Sequence, residues 1–366
     1  MAVAIRRRVT TRPYDMQRKA EVCIVVPVFN YGKYLESCLR SALGQEGVDL
    51  TVLVLDDSST DDSLSIALRI SDEDPRVQVI AHSNNMGHIP TVNEGIAAAN
   101  SEYVVKLDAD DMLTEGSLKR SVALFQAFPS VGFVYGRPSI FIGEGPAPQP
   151  RSYARIRRSW TVWNGQEWLR RRFKRGANCI HQPEAAIRLS ALREVGPYRE
   201  ELPHTSDFEM WMRLATRYDV GRINGSYQGW YRKHSASMSR TVNGGLLTDA
   251  SERARAFDSL ISECSEFLPD ASLMSDMAYR AIARQTLSHA ISLCTRGVSN
   301  QGSLDEYAAL ALKIYNGADS LREWRLMSRL NRMNEISERN LSLMAREELR
   351  NFRHRLQWWR WWWSGV

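Results

Sequence analysis

The stretch Leu50-Thr-Val-Leu-Val-Leu-Asp-Asp-Ser-Ser-Thr60 joins a nearly uninterrupted apolar run to an acidic, hydroxyl-rich turn. Such a run, without polar alternation, is typical of a strand that is buried on both faces. A similar run, Val22-Cys-Ile-Val-Val-Pro-Val-Phe29, precedes it, and Glu102-Tyr-Val-Val-Lys-Leu107 follows it. Segments with apolar residues three or four positions apart, the spacing of a helix, separate these runs. The alternation predicts an α/β domain with a Rossmann-like, mainly parallel sheet flanked by helices.

Acidic residues follow two of the predicted strands at the point where each strand ends. Asp56 and Asp57 end one strand, and Asp108, Asp110 and Asp111 follow another. In doubly wound sheets, ligands bind beyond the carboxyl ends of the strands. Three carboxylates within four residues repel one another, and a divalent cation such as Mg²⁺ or Mn²⁺ removes that cost while it also binds substrate phosphates. A solvated turn that caps the next helix is the alternative that the residues alone leave open.

A third polar group lies further along the chain, in His204-Thr-Ser-Asp-Phe-Glu-Met-Trp211. Ser206 and Glu209 have the spacing of a capping box, which predicts a helix start with Asp207 at its first position. A carboxylate there is favoured as the anion, so Asp207 is a candidate general base, or else it only complements the helix dipole. His234, after a later strand, is a candidate metal ligand, although a lone histidine is more often structural.

Taken together, these motifs resemble glycosyltransferase family 2, whose fold is called GT-A. The resemblance covers residues 21–240 and depends on the order and spacing of several short motifs. In chain order they are Val26-Pro-Val-Phe-Asn30, Asp56 to Ser59, Asn85-Met-Gly87, Asn93-Glu-Gly95, Asp108-Ala-Asp-Asp111, Ser206-Asp207 with Trp211, and Tyr231 to His234. The sequence departs from the family at Val92, where many members carry Arg, and at Ser206, where Glu is usual; the base position is kept.

The resemblance implies that the chain moves a sugar from a nucleotide-sugar donor, expected to be UDP-linked, to an acceptor hydroxyl with inversion. It implies that Asp110, with Asp108 and His234, holds Mn²⁺ or Mg²⁺, and that Asp207 deprotonates the acceptor. The residues that it assigns to the donor nucleotide are Pro27, Phe29, Asn30, Asp57, Asn85, Asn93 and Asp108. The acceptor stays open among a glycan, a lipid-linked intermediate, a small molecule and a protein side chain.

Two other classes of function compete with this interpretation. A nucleotidyltransferase also uses carboxylates and a metal, but normally has a Gly-rich, basic phosphate loop after the first strand. Here that place holds Asn30-Tyr-Gly-Lys-Tyr34, with one Gly and one Lys. A catalytically degenerate module that binds sugar or nucleic acid is favoured slightly by basic stretches in the chain, whereas the presence of Asp110 and Asp207 argues against it. A nucleic-acid partner is therefore not expected.

The pattern changes along the chain and predicts three regions. Residues 1–20 form a basic, poorly ordered arm, 21–240 the catalytic GT-A domain, and 241–366 a helical C-terminal appendage. The appendage contains an apolar stripe with one residue at every third position: Trp324, Met327, Leu330, Met333 and Ile336. Such a stripe needs a protein surface to cover it. The chain ends in a Trp/Arg cluster, Trp358–Trp363, with five Trp and one Arg. Such a cluster predicts either a peripheral membrane contact or a protein contact, such as packing within the chain or a homo-oligomer interface.

Composition and charge limit the class of protein further. The chain has 366 residues, 43% of them apolar, and a formal net charge of +6. Basic residues are concentrated in 151–175 and 322–360, which suggests an anionic partner or a solvated face. Five cysteines without metal spacing predict free thiols. Because the sequence shows neither a signal peptide nor a membrane span, we expect a cytoplasmic protein, with a peripheral position at the inner membrane face as the alternative.

Overall fold

The structure is a computed structural model that describes residues 8–145, 147, 158–234, 245–296 and 301–334. These residues divide into two compact units. The first contains Met1–Trp168 and Ile180–Ser237, and the second contains Leu169–Cys179 and Met238–Val366. The sequence analysis had placed the segment Leu169–Cys179 in the catalytic domain, so the boundary of the two units differs there from the prediction.

The first unit contains all of the strands that the structure describes. They are β1 (Arg8–Thr11), β2 (Glu21–Val28), β3 (Asp49–Asp56), β4 (Val77–Ala81), β5 (Tyr103–Lys106), β6 (Met112–Leu113), β7 (Val131–Tyr135), β8 (Pro138–Ile142), β9 (Ser159–Trp163), β10 (Ala186–Arg188), β11 (Asp219–Asn224) and β12 (Gly229–Lys233). The helices of the chain are α1 (Gly32–Leu43), α2 (Ser63–Glu73), α3 (His88–Ala98), α4 (Ser117–Ala127), α5 (Gly165–Arg175), α6 (Leu189–Val195), α7 (Ser206–Arg217), α8 (Leu246–Cys264), α9 (Ala271–Arg296), α10 (Gln301–Ile314) and α11 (Arg322–Asn334).

Nine of these strands form one sheet in the order β1-β9-β11-β7-β10-β5-β2-β3-β4. Strands β2, β3, β4 and β5 pair in parallel, and so do β7 and β11. Only β9 and β10 run opposite to the other seven, because each pairs antiparallel with both of its neighbours. A second sheet, β6-β12-β8, lies in the same unit. The predicted α/β fold with a mainly parallel sheet is confirmed.

The two faces of the large sheet are covered by helices, as continuous apolar strands require. Alternate residues of β2 point to opposite faces. Ile24 belongs to a core that contains Leu35 of α1, whereas Val25 lies against Gly95 of α3. A Cβ atom at Gly95 would be 2.5 Å from Val25 Cγ1 and 2.7 Å from Leu55 Cδ1. The second Asn-x-Gly motif thus marks a close approach of helix to sheet.

Two local predictions were wrong. No capping box forms at α7, because the Glu209 carboxylate pairs with the buried Arg213 instead. The N-terminal arm is not wholly irregular, because the backbone of Arg8–Thr11 adds an edge strand to β9.

The second unit is helical, as the sequence predicted for this part of the chain. Ala283, Leu287 and Ile291 of α9 form its core with residues of the following helices. From the apolar stripe, Met327 and Leu330 are buried there, and Trp324 packs against them. The Trp/Arg cluster, and with it the prediction of a membrane or oligomer contact, lies outside the described residues. Among the helices that the structure does describe, none is long and apolar enough to cross a membrane.

We expect the substitution Gly95→Ala to destabilise the first unit. Its methyl group would overlap Val25 and Leu55, and overpacking of this kind costs roughly 1–3 kcal/mol. That cost exceeds the stabilisation of about 1 kcal/mol that Ala gives a helix relative to Gly. Urea denaturation followed by tryptophan fluorescence measures the difference.

The control is Ala97→Gly at an exposed position of the same helix, which removes helix propensity alone. If Gly95→Ala stabilised the protein, helix propensity would dominate and the close approach would be unimportant.

Candidate functional site

Two predicted metal ligands meet although 124 residues separate them along the chain. The His234 Nε2 atom lies 2.9 Å from Asp110 Oδ2. Asp110 follows β5, and His234 follows β12 of the small sheet. The ring of Tyr34, at the start of α1, packs on the imidazole at a centroid distance of 4.8 Å and limits its movement. The pairing of the strands therefore brings a carboxylate and an imidazole to one point.

The neighbouring carboxylate of Asp111 is buried more deeply. Its Oδ1 atom accepts a hydrogen bond of 2.8 Å from the backbone N–H of Arg232. Its Oδ2 atom has no hydrogen-bond partner among the described residues. Burial, together with the charges of Asp110 and Asp108, raises the pKa of Asp111 well above its usual value. Burial and the charge of Asp108 also raise the pKa of Asp110, although His234 acts against this rise.

Asp108, the first carboxylate of this cluster, has a cationic partner. Its Oδ1 atom lies 2.5 Å from the Lys106 ammonium, and His88 Nε2 is 3.9 Å away. Burial alone would raise the pKa of Asp108, but the charges of Lys106 and His88 outweigh it and lower the pKa. Burial and the nearby Lys106 together lower the pKa of His88 to about 4. Asp108 is therefore held as an anion beside a lysine.

These observations are compatible with a divalent cation at Asp110 and His234. The pKa values of two carboxylates are raised, and one buried oxygen has no hydrogen-bond partner among the described residues, so a positive charge would stabilise this site. Among the residues that the structure describes, no three acidic, thiol or imidazole side chains complete a metal site by themselves. A Mg²⁺ or Mn²⁺ ion here would therefore need further oxygen ligands from phosphates and water, as these ions commonly do.

The candidate base, Asp207, lies half-buried in the first turn of α7. Its Oδ1 atom accepts a hydrogen bond of 2.7 Å from the backbone N–H of Phe208. Burial raises the pKa of Asp207, whereas the charge of Lys106 acts in the opposite direction. Asp108 also adds to the rise in this pKa. Asp207 and Asp108 thus lie close enough to interact electrostatically, on the same side of the sheet.

Asp57 was predicted to contact a pyrimidine, and the structure shows what else its carboxylate does. Oδ1 accepts hydrogen bonds from the Met86 backbone, at 2.7 Å, and contacts His82 Nδ1 at 2.8 Å. Oδ2 accepts a hydrogen bond of 2.9 Å from the Gly87 backbone. The Asn85 side chain donates to the backbone carbonyl of Asp57. Asp57 therefore holds the loop that carries the first Asn-x-Gly motif against the end of β3.

The other predicted donor residues have contrasting environments. Phe29, directly after β2, is 43% exposed, so part of its ring is open to a ligand. Pro27 is buried within β2. The Asn30 side chain accepts hydrogen bonds from the backbone of Thr60 and Asp61, so it orders the turn after β3.

Asn93 lies on α3 and was also assigned to the donor. Its amide donates to the Tyr198 carbonyl and accepts from the Tyr198 N–H, both at 2.9 Å. This pair of hydrogen bonds joins α3 to the segment that precedes α7. Both polar groups of the Asn93 side chain are therefore used within the protein.

Sequence reasoning missed two residues of this site, Lys106 and His82. A signal for Lys106 was present, because a charged residue inside the apolar run of β5 must find a partner when the strand is buried. No pattern in the sequence singled out His82, because its role depends on where Asp57 and Glu94 lie in the fold.

Sequence comparison identifies relatives of the chain. The model of the family described as "Glycosyl transferase family 2" matches residues 23–196. An uncharacterized protein of Mycobacterium tuberculosis is 26% identical over 248 residues, which are 66% of this chain and 76% of that protein. Glycosyltransferase GlyG of Streptococcus pneumoniae is 35% identical over 98 residues, 27% of this chain and 33% of GlyG. Chondroitin synthase of Escherichia coli is 27% identical over 57% of this chain, but only 28% of the synthase is matched.

Solved structures share the fold at low sequence identity. TarS from S. aureus, solved in complex with UDP-GlcNAc, has a TM-score of 0.60 and 13% identity, covering 87% of this chain and 92% of that chain. A mannosyltransferase from Pyrobaculum calidifontis, solved with GDP-Man and Mn²⁺, has a TM-score of 0.52 and 18% identity, covering 87% of each chain. The predicted GT-A fold is thereby confirmed. Residues 23–196 therefore match glycosyltransferase family 2, and the chain has the fold of GT-A glycosyltransferases.

Proposed function

We propose that the protein is an inverting glycosyltransferase that moves a sugar from a nucleotide-sugar donor to an acceptor hydroxyl. The observation that carries the proposal is the 2.9 Å contact between His234 and Asp110, because Asp110 lies within the residues that match family 2. UDP is the nucleotide that we favour, because TarS was solved with UDP-GlcNAc. The mannosyltransferase with GDP-Man has the same fold, so GDP is the alternative.

Asp110 and His234 are the residues that would hold Mn²⁺ or Mg²⁺, with Asp108 nearby. When bound, the cation neutralises the negative charge that develops on the leaving diphosphate. Asp108 is kept ionised by Lys106, so it accepts hydrogen bonds from donor hydroxyl groups without having to lose a proton first. Phe29 offers its exposed ring to the nucleotide base.

Asp207 is the residue that we assign as the general base. Deprotonation of the acceptor hydroxyl by Asp207 would let its oxygen attack the anomeric carbon from the side opposite the leaving nucleotide, which inverts the configuration. Burial raises the pKa of Asp207, and a carboxylate with a raised pKa is a stronger base than one in water. Because Asp207 is only half-buried, an acceptor can still reach it.

A screen of nucleotide-sugar hydrolysis and transfer, with and without Mn²⁺, tests the proposed function. The proposal expects metal-dependent release of nucleotide from at least one donor. Release of pyrophosphate from a nucleoside triphosphate instead would indicate a nucleotidyltransferase. Binding of a donor without any turnover would indicate a degenerate binding module.

One prediction of this proposal concerns the metal site. We expect Asp110→Ala to abolish metal-dependent turnover and to weaken Mn²⁺ binding in isothermal titration calorimetry. The fold should survive, because the substitution removes one of several crowded carboxylates and relieves their repulsion. Asp49→Asn, at an exposed carboxylate at the start of β3, is the matched control. Full turnover of the wild-type protein in excess chelator would overturn the assignment.

Another prediction of this proposal concerns the general base. We expect Asp207→Asn to lower kcat by ~10² or more while the Kd for the donor stays within about twofold, because the amide keeps the shape but cannot take a proton. Steady-state kinetics and direct donor titration give the two quantities. A variant that loses donor affinity but keeps its kcat would show that Asp207 binds the donor instead.

A further inference from the structure

His82 lies between two carboxylates that come from different elements. Its Nδ1 atom is 2.8 Å from Asp57 Oδ1, at the end of β3, and its Nε2 atom is 3.0 Å from Glu94 Oε2, on α3. The His82 side chain is only 7% exposed. Its backbone N–H also donates to the carbonyl of Asp56 at 2.9 Å. The imidazole therefore bridges the end of β3 and helix α3.

Asp57 connects this bridge to the loop before α3. Its carboxylate accepts hydrogen bonds from the backbone N–H groups of both Met86 and Gly87. Gly87 has a φ angle of 95°, in the left-handed region that favours glycine, and directly precedes α3. The loop conformation is thus fixed by one carboxylate, and the orientation of that carboxylate is fixed by His82.

The charge state of His82 decides whether both contacts are favourable. A neutral imidazole has one N–H, so when Nδ1 donates to Asp57, the Nε2 lone pair faces the Glu94 carboxylate. An imidazolium carries an N–H on both nitrogens and a positive charge that attracts both carboxylates. The contact of Nε2 with Glu94 is an ion pair by distance, without hydrogen-bond geometry. Burial alone would lower the pKa of His82, but the hydrogen bond to Asp57 and the charge of Glu94 outweigh it and raise the pKa. Asp57 and Glu94 are the charged groups that raise this pKa.

We propose that protonated His82 is a positioning residue for the donor nucleotide, acting through Asp57 on the loop from His82 to Gly87. This inference depends on the proposed function, because it places the nucleotide at the carboxyl ends of β2 and β3, where exposed Phe29 and this loop lie. Loss of the proton weakens the hold on Asp57, so the loop becomes less ordered and the nucleotide binds less tightly.

The direction of the pH dependence follows from the raised pKa. The stabilising contribution of His82 is complete below its ordinary pKa of 6.5 and is lost as the pH rises through the higher folded-state value. Donor affinity should therefore fall as the pH increases above neutrality. The effect should appear in Kd and KM for the donor more than in kcat, because His82 does not touch the reacting atoms.

Three variants of the full chain separate these contributions. His82→Asn keeps an N–H group near the place of Nδ1 but cannot be protonated. His82→Ala removes the contact with Asp57. Glu94→Gln replaces the second carboxylate by an amide that can donate to neutral Nε2. Glu46→Gln, at an exposed residue after α1, is the control for loss of one surface charge.

The experiment measures Kd by calorimetry between pH 6 and 9 with Mn²⁺ and the best-bound member of a panel of UDP, GDP, CDP and ADP. We expect the wild-type Kd to rise about tenfold over this range, and the Kd of His82→Ala to be raised by a similar factor already at pH 6. His82→Asn should bind well with a flatter profile, and Glu94→Gln should shift the transition to lower pH. Glu46→Gln should follow the wild type.

Two kinds of failure can be told apart. If the wild-type protein binds no nucleoside diphosphate, the proposed function fails. If it binds one, but the profiles of His82→Asn and Glu94→Gln both match the wild type, the role of His82 is overturned while the proposed function stands. Should His82→Ala fail to fold, these two milder variants still decide the matter, because each keeps a polar group in place.

Discussion

The crowding of carboxylates at one edge of the sheet is the constraint on which the site depends. Parallel strands end at the same edge, so the acidic residues after β3 and β5 come together whether or not their charges favour it. Each charge must be offset locally. Lys106 offsets Asp108, His82 and two backbone amides offset Asp57, and the Asp110–His234 pair is only partly compensated. This uneven compensation is the place where we propose that a cation binds.

The strands could be predicted because their burial on both faces requires an unbroken apolar sequence, which leaves little freedom in composition. The order of the carboxylate motifs could also be predicted, since each follows a strand directly. The partners of those carboxylates could not be predicted. His234 reaches Asp110 only because β12 pairs with β6 and β8, a long-range pairing that no local pattern encodes. The same applies to the capping box at α7, which Arg213 prevents by binding Glu209.

The residues that the resemblance assigns to the donor nucleotide differ in the contacts they make. Asn85, Asn93 and Asp57 all use their polar groups within the protein, to join loops and helices to the sheet. In the proposed donor site, these side chains would hold the walls in place. Phe29, by contrast, has a partly exposed ring. A motif residue can therefore be essential to a binding site because of what it holds in position, and only the contacts distinguish this role from direct binding.

The aspartates of the site also show that the pKa of the same side-chain type can be shifted in opposite directions. Hydrogen-bond donors and cations outweigh burial and lower the pKa at Asp57 and Asp108, so both stay ionised and act as fixed acceptors. Burial prevails at Asp110 and Asp207 and raises the pKa, so both gain from a positive charge or a proton. The first pair suits binding and positioning. The second pair suits chemistry, because a group that is poorly stabilised as an anion is the one that holds a cation tightly or accepts a proton from a substrate.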